Sequence, residues 1–346
     1  MTLFKNCSCY ALILFFIGCS SVDSNEIANS DAAEEDTESP TENPDPSNES
    51  VLDLVNVQYL ADTPKLAMDL HMVLGNSLYS IKGQDTYVFN FDTTVWTYLG
   101  SDPDLPNFIA SGISFLRNGL WTIFTSRGLY EFDFSLQDWK AIDVFPLNEN
   151  FYISAFYIEE QDAIYYVDPA NGNRTIYKYL LDTNESIAQG GYGLKGRFSL
   201  VNPNAFVYNN GHYITYVTDE EVFEVYKFSS DFTKLEMVNS YNVGHSLDNG
   251  VAMLFGDYII FGLGGTSSLN EDLSVTFLRS DRRFYSYDLV NDKFLDIPSS
   301  FYEGRMNASL VTYNNEFYLI NGFTIENNQN EPKLSMEKLK FDHVTN

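Results

Sequence analysis

A unit of about 50 residues recurs six times along this chain, and no other feature restricts the fold as strongly. One copy runs from His71 to Leu99 (HMVLGNSLYSIKGQDTYVFNFDTTVWTYL) and the next from Ile113 to Ile142. Each opens with an apolar strand, makes a tight turn (GNS, RNG) and continues with a second apolar strand (LYSI, LWTIF). An aromatic third strand ending in Phe-Asp follows (FNFD, YEFD), and a Trp-bearing fourth strand (VWTYL, DWKAI) closes the unit. Four less faithful copies centre on IYKYLLD, VYKFSSD, FYSYDLVND and KLKFD. The shared position falls at Asp92, Asp133, Leu180, Ser229, Asp288 and Asp342, with intervals of 41, 47, 49, 59 and 54, whose mean is 50. A four-stranded unit of this kind cannot cover both of its faces alone, so successive copies must stack on one another. From Val51 onward, strand and turn signals alternate without an amphipathic helical stretch, which predicts an all-β chain.

The sixth copy stops at Phe341-Asp342, with no room for a fourth strand. A spare strand, Leu54 to Leu60 (LVNVQYL), precedes the first complete unit. An N-terminal strand that completes the last blade closes a ring of repeats and leaves no open edge. The reading is therefore a six-bladed β-propeller over residues 51–346, closed by its own N-terminal strand. Its period and its Gly and Trp residues resemble the kelch, or galactose-oxidase-type, propeller. The diglycine of the kelch second strand survives as Gly264-Gly265, with single glycines at Gly83 and Gly322, and the fourth-strand Trp as Trp96 and Trp139. WD40 repeats are shorter, about 40–45 residues.

The first 50 residues do not belong to the repeat. Lys5 supplies a positive start, and Tyr10 to Ile17 is an eight-residue apolar run, too short to span a bilayer. Phe16-Ile17-Gly18-Cys19 then resembles a lipobox, although Phe16 stands where Leu is usual. The resemblance implies a lipoprotein signal peptide over residues 1–18 and a lipidated Cys19. Residues 20–50 hold ten Asp or Glu and no Lys or Arg, the composition of a solvated tether, so residues 19–50 form a disordered linker. Acids just after a lipidated Cys resemble the surface-export signal of Bacteroidetes lipoproteins; a plain spacer has the same composition. The expected location is the outer membrane or cell surface, held by a lipid anchor alone, with the periplasmic face as the other option. Cys7, Cys9 and Cys19 are the only cysteines, so the propeller has neither a disulfide nor a thiolate for catalysis or metal binding. The 48 acids lose ten to the tether and the 20 bases lose Lys5, leaving 38 against 19, so nucleic acid is a poor partner.

The hairpin pattern sorts loops onto two faces. Turns between strands one and two (Asn118-Gly119, Asn209-Asn210-Gly211, Gly256-Asp257) and between strands three and four are short, so that face is trimmed and expected to bind little. Long segments gather on the other face: Gly264 to Arg283, Gly322 to Lys333, Gly190 to Pro203, Tyr241 to Asn249 and Pro298 to Asn307. Of the eight arginines, only Arg117 falls on the trimmed face; Arg127, Arg174, Arg197, Arg279, Arg282, Arg283 and Arg305 lie in or beside the long connections. Guanidinium groups suit bidentate recognition of carboxylates. The ligand-binding candidates are Arg197, His245 and Arg305, placed just before innermost strands, with Arg279 and Arg282 beside them. Each arginine has nearby acids to pair with, and residues before inner strands can equally satisfy carbonyls between blades.

No catalytic residues are assigned. Gly244-His245-Ser246-Leu247-Asp248 lacks the last Gly of a nucleophile elbow, and the four histidines show no metal-binding spacing, so neither metal nor cofactor is expected. Two functional classes are open, and the lack of a catalytic constellation favours the first. One is a membrane-anchored binding or scaffold propeller whose Arg-rich face takes an acidic glycan or a protein partner. The other follows from exported kelch propellers that are sialic acid epimerases, and makes the chain a sugar epimerase or mutarotase acting on an acidic sugar.

Overall fold

The computed structural model describes residues 50–65, 70–106, 112–145, 154–167, 175–191, 198–199, 205–218, 221–269, 275–326 and 329–345. The expected signal peptide, Cys19 and the expected tether up to residue 49 lie outside them. Six antiparallel sheets make six blades, and together they form a β-propeller. Blades 1, 2 and 3 span residues 70–101, 112–144 and 154–191, each a simple meander of four strands. Blade 4, residues 205–242, gains a fifth short strand, Phe198–Ser199, on its second strand. Blade 5, residues 251–296, and blade 6, residues 309–345, each carry an inserted two-stranded hairpin between their second and third strands. The fourth strand of blade 6 is Ser50–Asp62, which pairs antiparallel with Ser335–Thr345, Leu54 opposite Phe341. The closure expected from the spare N-terminal strand is present.

Apolar residues are distributed as a ring requires. Second strands are covered on both faces by neighbouring blades, so Leu120–Thr125 and Gly211–Thr218 are buried almost throughout. Fourth strands meet solvent, and Leu235–Asn242 is mostly exposed. The core is divided into six interfaces between successive blades. Leu70, Ile81, Trp121 and Trp139 join blades 1 and 2, and Phe124, Leu129, Ile164 and Tyr179 join blades 2 and 3. Phe156, Val167, Tyr216 and Tyr226 join blades 3 and 4, and Val217, Phe223, Phe261 and Tyr287 join blades 4 and 5. The last two interfaces use Val251, Phe284, Leu339 and Phe341, then Leu78, Phe89, Ile320 and Met336. Burying a side chain of this size stabilises by about 1.5–3 kcal/mol, so each interface contributes a comparable share and no single centre dominates.

The tight turns are confirmed by backbone angles: φ is +51° at Asn118 and +80° at Gly119, the signature of a two-residue hairpin turn with both central residues left-handed. The repeat alignment needs correction in two blades. In blade 6, Phe317 pairs with Leu339 as Ile259 does with Tyr287 in blade 5, so Lys340, and not Asp342, is the partner of Asp288. Blade 1 is offset likewise. Phe89 pairs with Trp96 and Phe132 with Trp139. Asn90, and not Asp92, is therefore the partner of Asp133. Its Oδ1 accepts the turn N–H groups of Asp92 (3.0 Å) and Thr93 (2.9 Å), as Asp133 does for Ser135 (2.8 Å) and Leu136 (3.2 Å). Asp288 caps Val290 and Asn291 in the same way, both at 2.9 Å.

Candidate functional site

The described residues of the long segments of blades 5 and 6 form hairpins. Residues 264 to 283 contain the hairpin Gly265–Leu269 with Val275–Ser280, and residues 322 to 333 contain Phe323–Glu326 with Gln329–Pro332. The two hairpins pack against each other, and Met306 of the connecting segment forms a small apolar cluster with Phe323 and Ile325 of the blade 6 hairpin. The diglycine explains why they sit so low. Gly264 has φ +75°, and both glycines lie against backbone: the carbonyls of Leu247 and Asp248 over Gly264, that of Arg279 over Gly265. A Cβ at either position has no room. Blades 1 and 2, by contrast, join the same strands by short turns at Gly83-Gln84 and Ser126-Arg127. Among the described residues, such hairpins occur only in blades 5 and 6, neighbours that form one sector of the ring.

That sector collects four of the five ligand-binding candidates; Arg197 lies outside the described residues. Arg305 is fully buried. Its Nη1 donates to the Asn321 carbonyl (2.9 Å) and Ser335 Oγ (3.3 Å), and its Nη2 to Tyr302 Oη (3.2 Å), Glu337 Oε1 (3.2 Å) and Glu303 Oε1. The guanidinium also lies over the Phe301 ring, 5.3 Å from its centroid. Lys333 adds a second cation to Glu303 at 3.0 Å. Burial works to raise the Glu303 carboxyl, but Lys333 and Arg305 outweigh it and hold the group below the usual range. Arg305 is therefore occupied inside the protein, the alternative open to a residue before an inner strand, and offers no guanidinium at the surface.

His245 is also partly buried, at the neighbouring interface. Its Nδ1 lies 2.8 Å from the Val243 carbonyl, its Nε2 3.7 Å from Asp281 Oδ2, and Tyr285 Oη is 3.4 Å from Nε2. Burial pulls the imidazole below its ordinary value despite the pull of Asp281 the other way, so the ring is neutral at neutral pH. The Asp281 carboxylate is taken by Arg283, whose Nε and Nη2 donate at 3.0 and 2.6 Å in a bidentate pair. Burial pushes Asp281 up, yet those hydrogen bonds win and keep it low. The same burial, opposed by Arg283, drives Tyr285 up to about 12. The two clusters touch through the backbone, where Arg305 N donates to the Asp281 carbonyl at 3.0 Å.

Arg279 and Arg282 complete the set. Both are exposed, and among the described residues neither has an ion-pair partner. The structure thus separates the arginines by role: Arg283 and Arg305 neutralise internal acids, while Arg279 and Arg282 face solvent. On the trimmed face Arg117 is spent in an ion cluster across blades 2 and 3, with Asp162 at 2.5 Å and Glu131 at 3.3 Å. That face is less plain than its short turns suggest. A groove of about 600 Å³ lies beside Asn209, Asn210, His212 and Met237, and one of about 400 Å³ beside Phe255, Asn315 and Lys338. Among the described residues no group of three or more His, Cys, Asp or Glu side chains could hold a metal ion.

Sequence reasoning missed Tyr302, Glu303 and Glu337, and it offered Asp281 to Arg282, whereas the carboxylate is held by Arg283. Tyr302-Glu303-Gly304-Arg305 was readable as one run, but Glu337 looks like an ordinary strand acid until blade 6 turns it inward, where it is 3% exposed.

No protein-family model matches this sequence, and no curated protein matches it. Among solved structures, that of YjhT resembles this chain with a TM-score of 0.56 at 14% identity, covering 82% of this chain and 99% of YjhT. At that identity the likeness is one of fold, and it agrees with the six-bladed ring.

Proposed function

We propose that this propeller is an extracytoplasmic binding module, lipid-anchored through Cys19 at the outer membrane or cell surface. Its hairpin-bearing face over blades 5 and 6 takes a ligand that carries a carboxylate, an acidic glycan in its simplest form. The observation that carries this reading is the pair Arg279 and Arg282. On a domain with twice as many acids as bases, these two guanidinium groups stay exposed and have no ion-pair partner among the described residues. Surface arginines on so acidic a protein ordinarily find a carboxylate, and a ligand can supply it.

A second reading, an epimerase or mutarotase for an acidic sugar, draws on one further observation. Neutral His245 lies 3.7 Å from the ionised Asp281 and 3.4 Å from the Tyr285 phenol, so a proton acceptor and a proton donor stand together beside the arginines. The resemblance to exported kelch propellers points the same way.

Proton NMR of the full-length protein mixed with a panel of acidic sugars, sialic acid included, separates these readings. Broadened ligand signals without turnover are the expected result. Accelerated anomer exchange makes the site catalytic. Unchanged spectra across the panel reject an acidic-sugar ligand.

A further inference from the structure

We propose that Tyr302 and Arg282 form one saccharide subsite on this face: the phenol ring carries the flat face of a pyranose, and the guanidinium takes its carboxylate. The proposal rests on the acidic-glycan reading and narrows it to two side chains.

Tyr302 is 59% exposed, yet its hydroxyl is pinned from below. It donates to Glu337 Oε1 at 2.5 Å and accepts from Arg305 Nη2 at 3.2 Å, and Glu337 is held in turn by Ser335 Oγ at 2.9 Å. The ring also packs on Phe301, with centroids 4.4 Å apart at 38°. An exposed aromatic ring usually keeps rotamer freedom and loses it on binding. This one is already fixed, which removes that cost from any stacking contact.

Residues 301 to 306, the segment that carries the ring, are fixed as well. Phe301 N donates to the Arg282 carbonyl (2.8 Å), Arg305 N to that of Asp281 (3.0 Å), and Met306 exchanges both hydrogen bonds with Phe323 at 2.9 Å. Thr324 Oγ1 donates to the Gly304 carbonyl at 2.8 Å. Gly304 lies so close to Ser280 that a side chain there has no space. The hairpins of blades 5 and 6 thus clamp the segment from both sides. The bond from Phe301 N to the Arg282 carbonyl brings the backbone that carries Tyr302 alongside the backbone that carries Arg282. Arg282 is not neutralised by the acid next to it, because the Asp281 carboxylate turns inward to Arg283.

A fixed aromatic face beside an uncommitted guanidinium selects for a ring with an apolar C–H face and an anionic substituent. A carboxylated pyranose has both. Neutral sugars have only the first, and small carboxylic acids only the second.

The test uses N-acetylneuraminic acid and its methyl ester as probes, with affinities for the full-length protein measured by ligand-observed NMR. The acid is expected to bind more tightly than the ester. Tyr302→Ala is expected to weaken both by about tenfold, the scale of one lost aromatic contact. Arg282→Gln is expected to bring the acid down to the affinity of the ester and leave the ester unchanged. Tyr302→Phe keeps the ring and is expected to retain most of the ester binding, while the lost bond to buried Glu337 lowers the thermal midpoint by a few degrees. Wild-type affinities in both Tyr302→Ala and Arg282→Gln would overturn the subsite and leave the acidic-glycan reading standing. A wild-type protein that binds neither probe removes that reading, and the subsite with it.

Discussion

Arg305 and Arg282 are chemically identical and lie 23 positions apart, yet the fold gives them opposite tasks. Arg305 has no exposed surface and holds two carboxylates: Glu303, which it shares with Lys333, and Glu337, which has no other ion-pair partner among the described residues. Breaking such a group by removing one partner costs about 3–5 kcal/mol, far more than an exposed ion pair is worth. Arg305→Gln is therefore expected to lower the thermal midpoint by many degrees, whereas Arg282→Gln leaves it within a degree or two. Differential scanning calorimetry on both variants decides this; equal midpoints would mean that the buried network contributes no net stability. Nothing in the local sequence separates these two arginines. Arg305 follows Glu303, but the second acid, Glu337, arrives from a strand 32 residues later.

At the scale of the strand and turn, the sequence was legible wherever period and turn chemistry agree. Asn118-Gly119 announces its own turn, and alternating apolar residues announce strands. The offset of two residues in blade 1 was not visible for a physical reason. Side chains alternate with a period of two, so a slip of two residues keeps every side chain on its own face and leaves the pattern unchanged. Only pairing resolves it: Phe89 opposite Trp96 makes Asn90 the turn cap. Asn90→Ala is expected to cost about 1 kcal/mol, the usual net worth of a lost turn hydrogen bond, and Asp92→Ala appreciably less. Urea titrations of both variants test the assignment; the opposite order would restore Asp92 as the equivalent position. The hairpins of blades 5 and 6 were readable only as long segments, since their strands are four to six residues long and carry no strong alternation.

At the scale of the whole molecule, stability depends on closing the ring. All three cysteines precede the propeller, so no disulfide holds the first blade to the last. That junction is made by Ser50–Asp62 on Ser335–Thr345, reinforced by Asp53, which accepts from Ser299 N (2.7 Å) and Oγ (2.8 Å). A chain beginning at residue 63 loses Leu52 and Leu54 from the interface of blades 5 and 6 and exposes the edge of the last blade. It is expected to aggregate or to unfold without a single cooperative transition, as read by circular dichroism and size-exclusion chromatography. A cooperative, monomeric product would show that the other five interfaces suffice.

By itself the sequence determined the repeat, its number and the strand that closes it, because these rest on local period, turn residues and a missing final strand. It also determined that the propeller's acids outnumber its bases two to one and that its arginines gather near the long connections. Tertiary structure decided which of those arginines are available. Whether a guanidinium meets a carboxylate of its own chain or one from outside depends on strands from different blades coming together, and no one-dimensional pattern encodes that distance. The same holds for Tyr302, an unremarkable residue in a connecting segment until two hairpins and a buried Glu337 fix its ring at the surface.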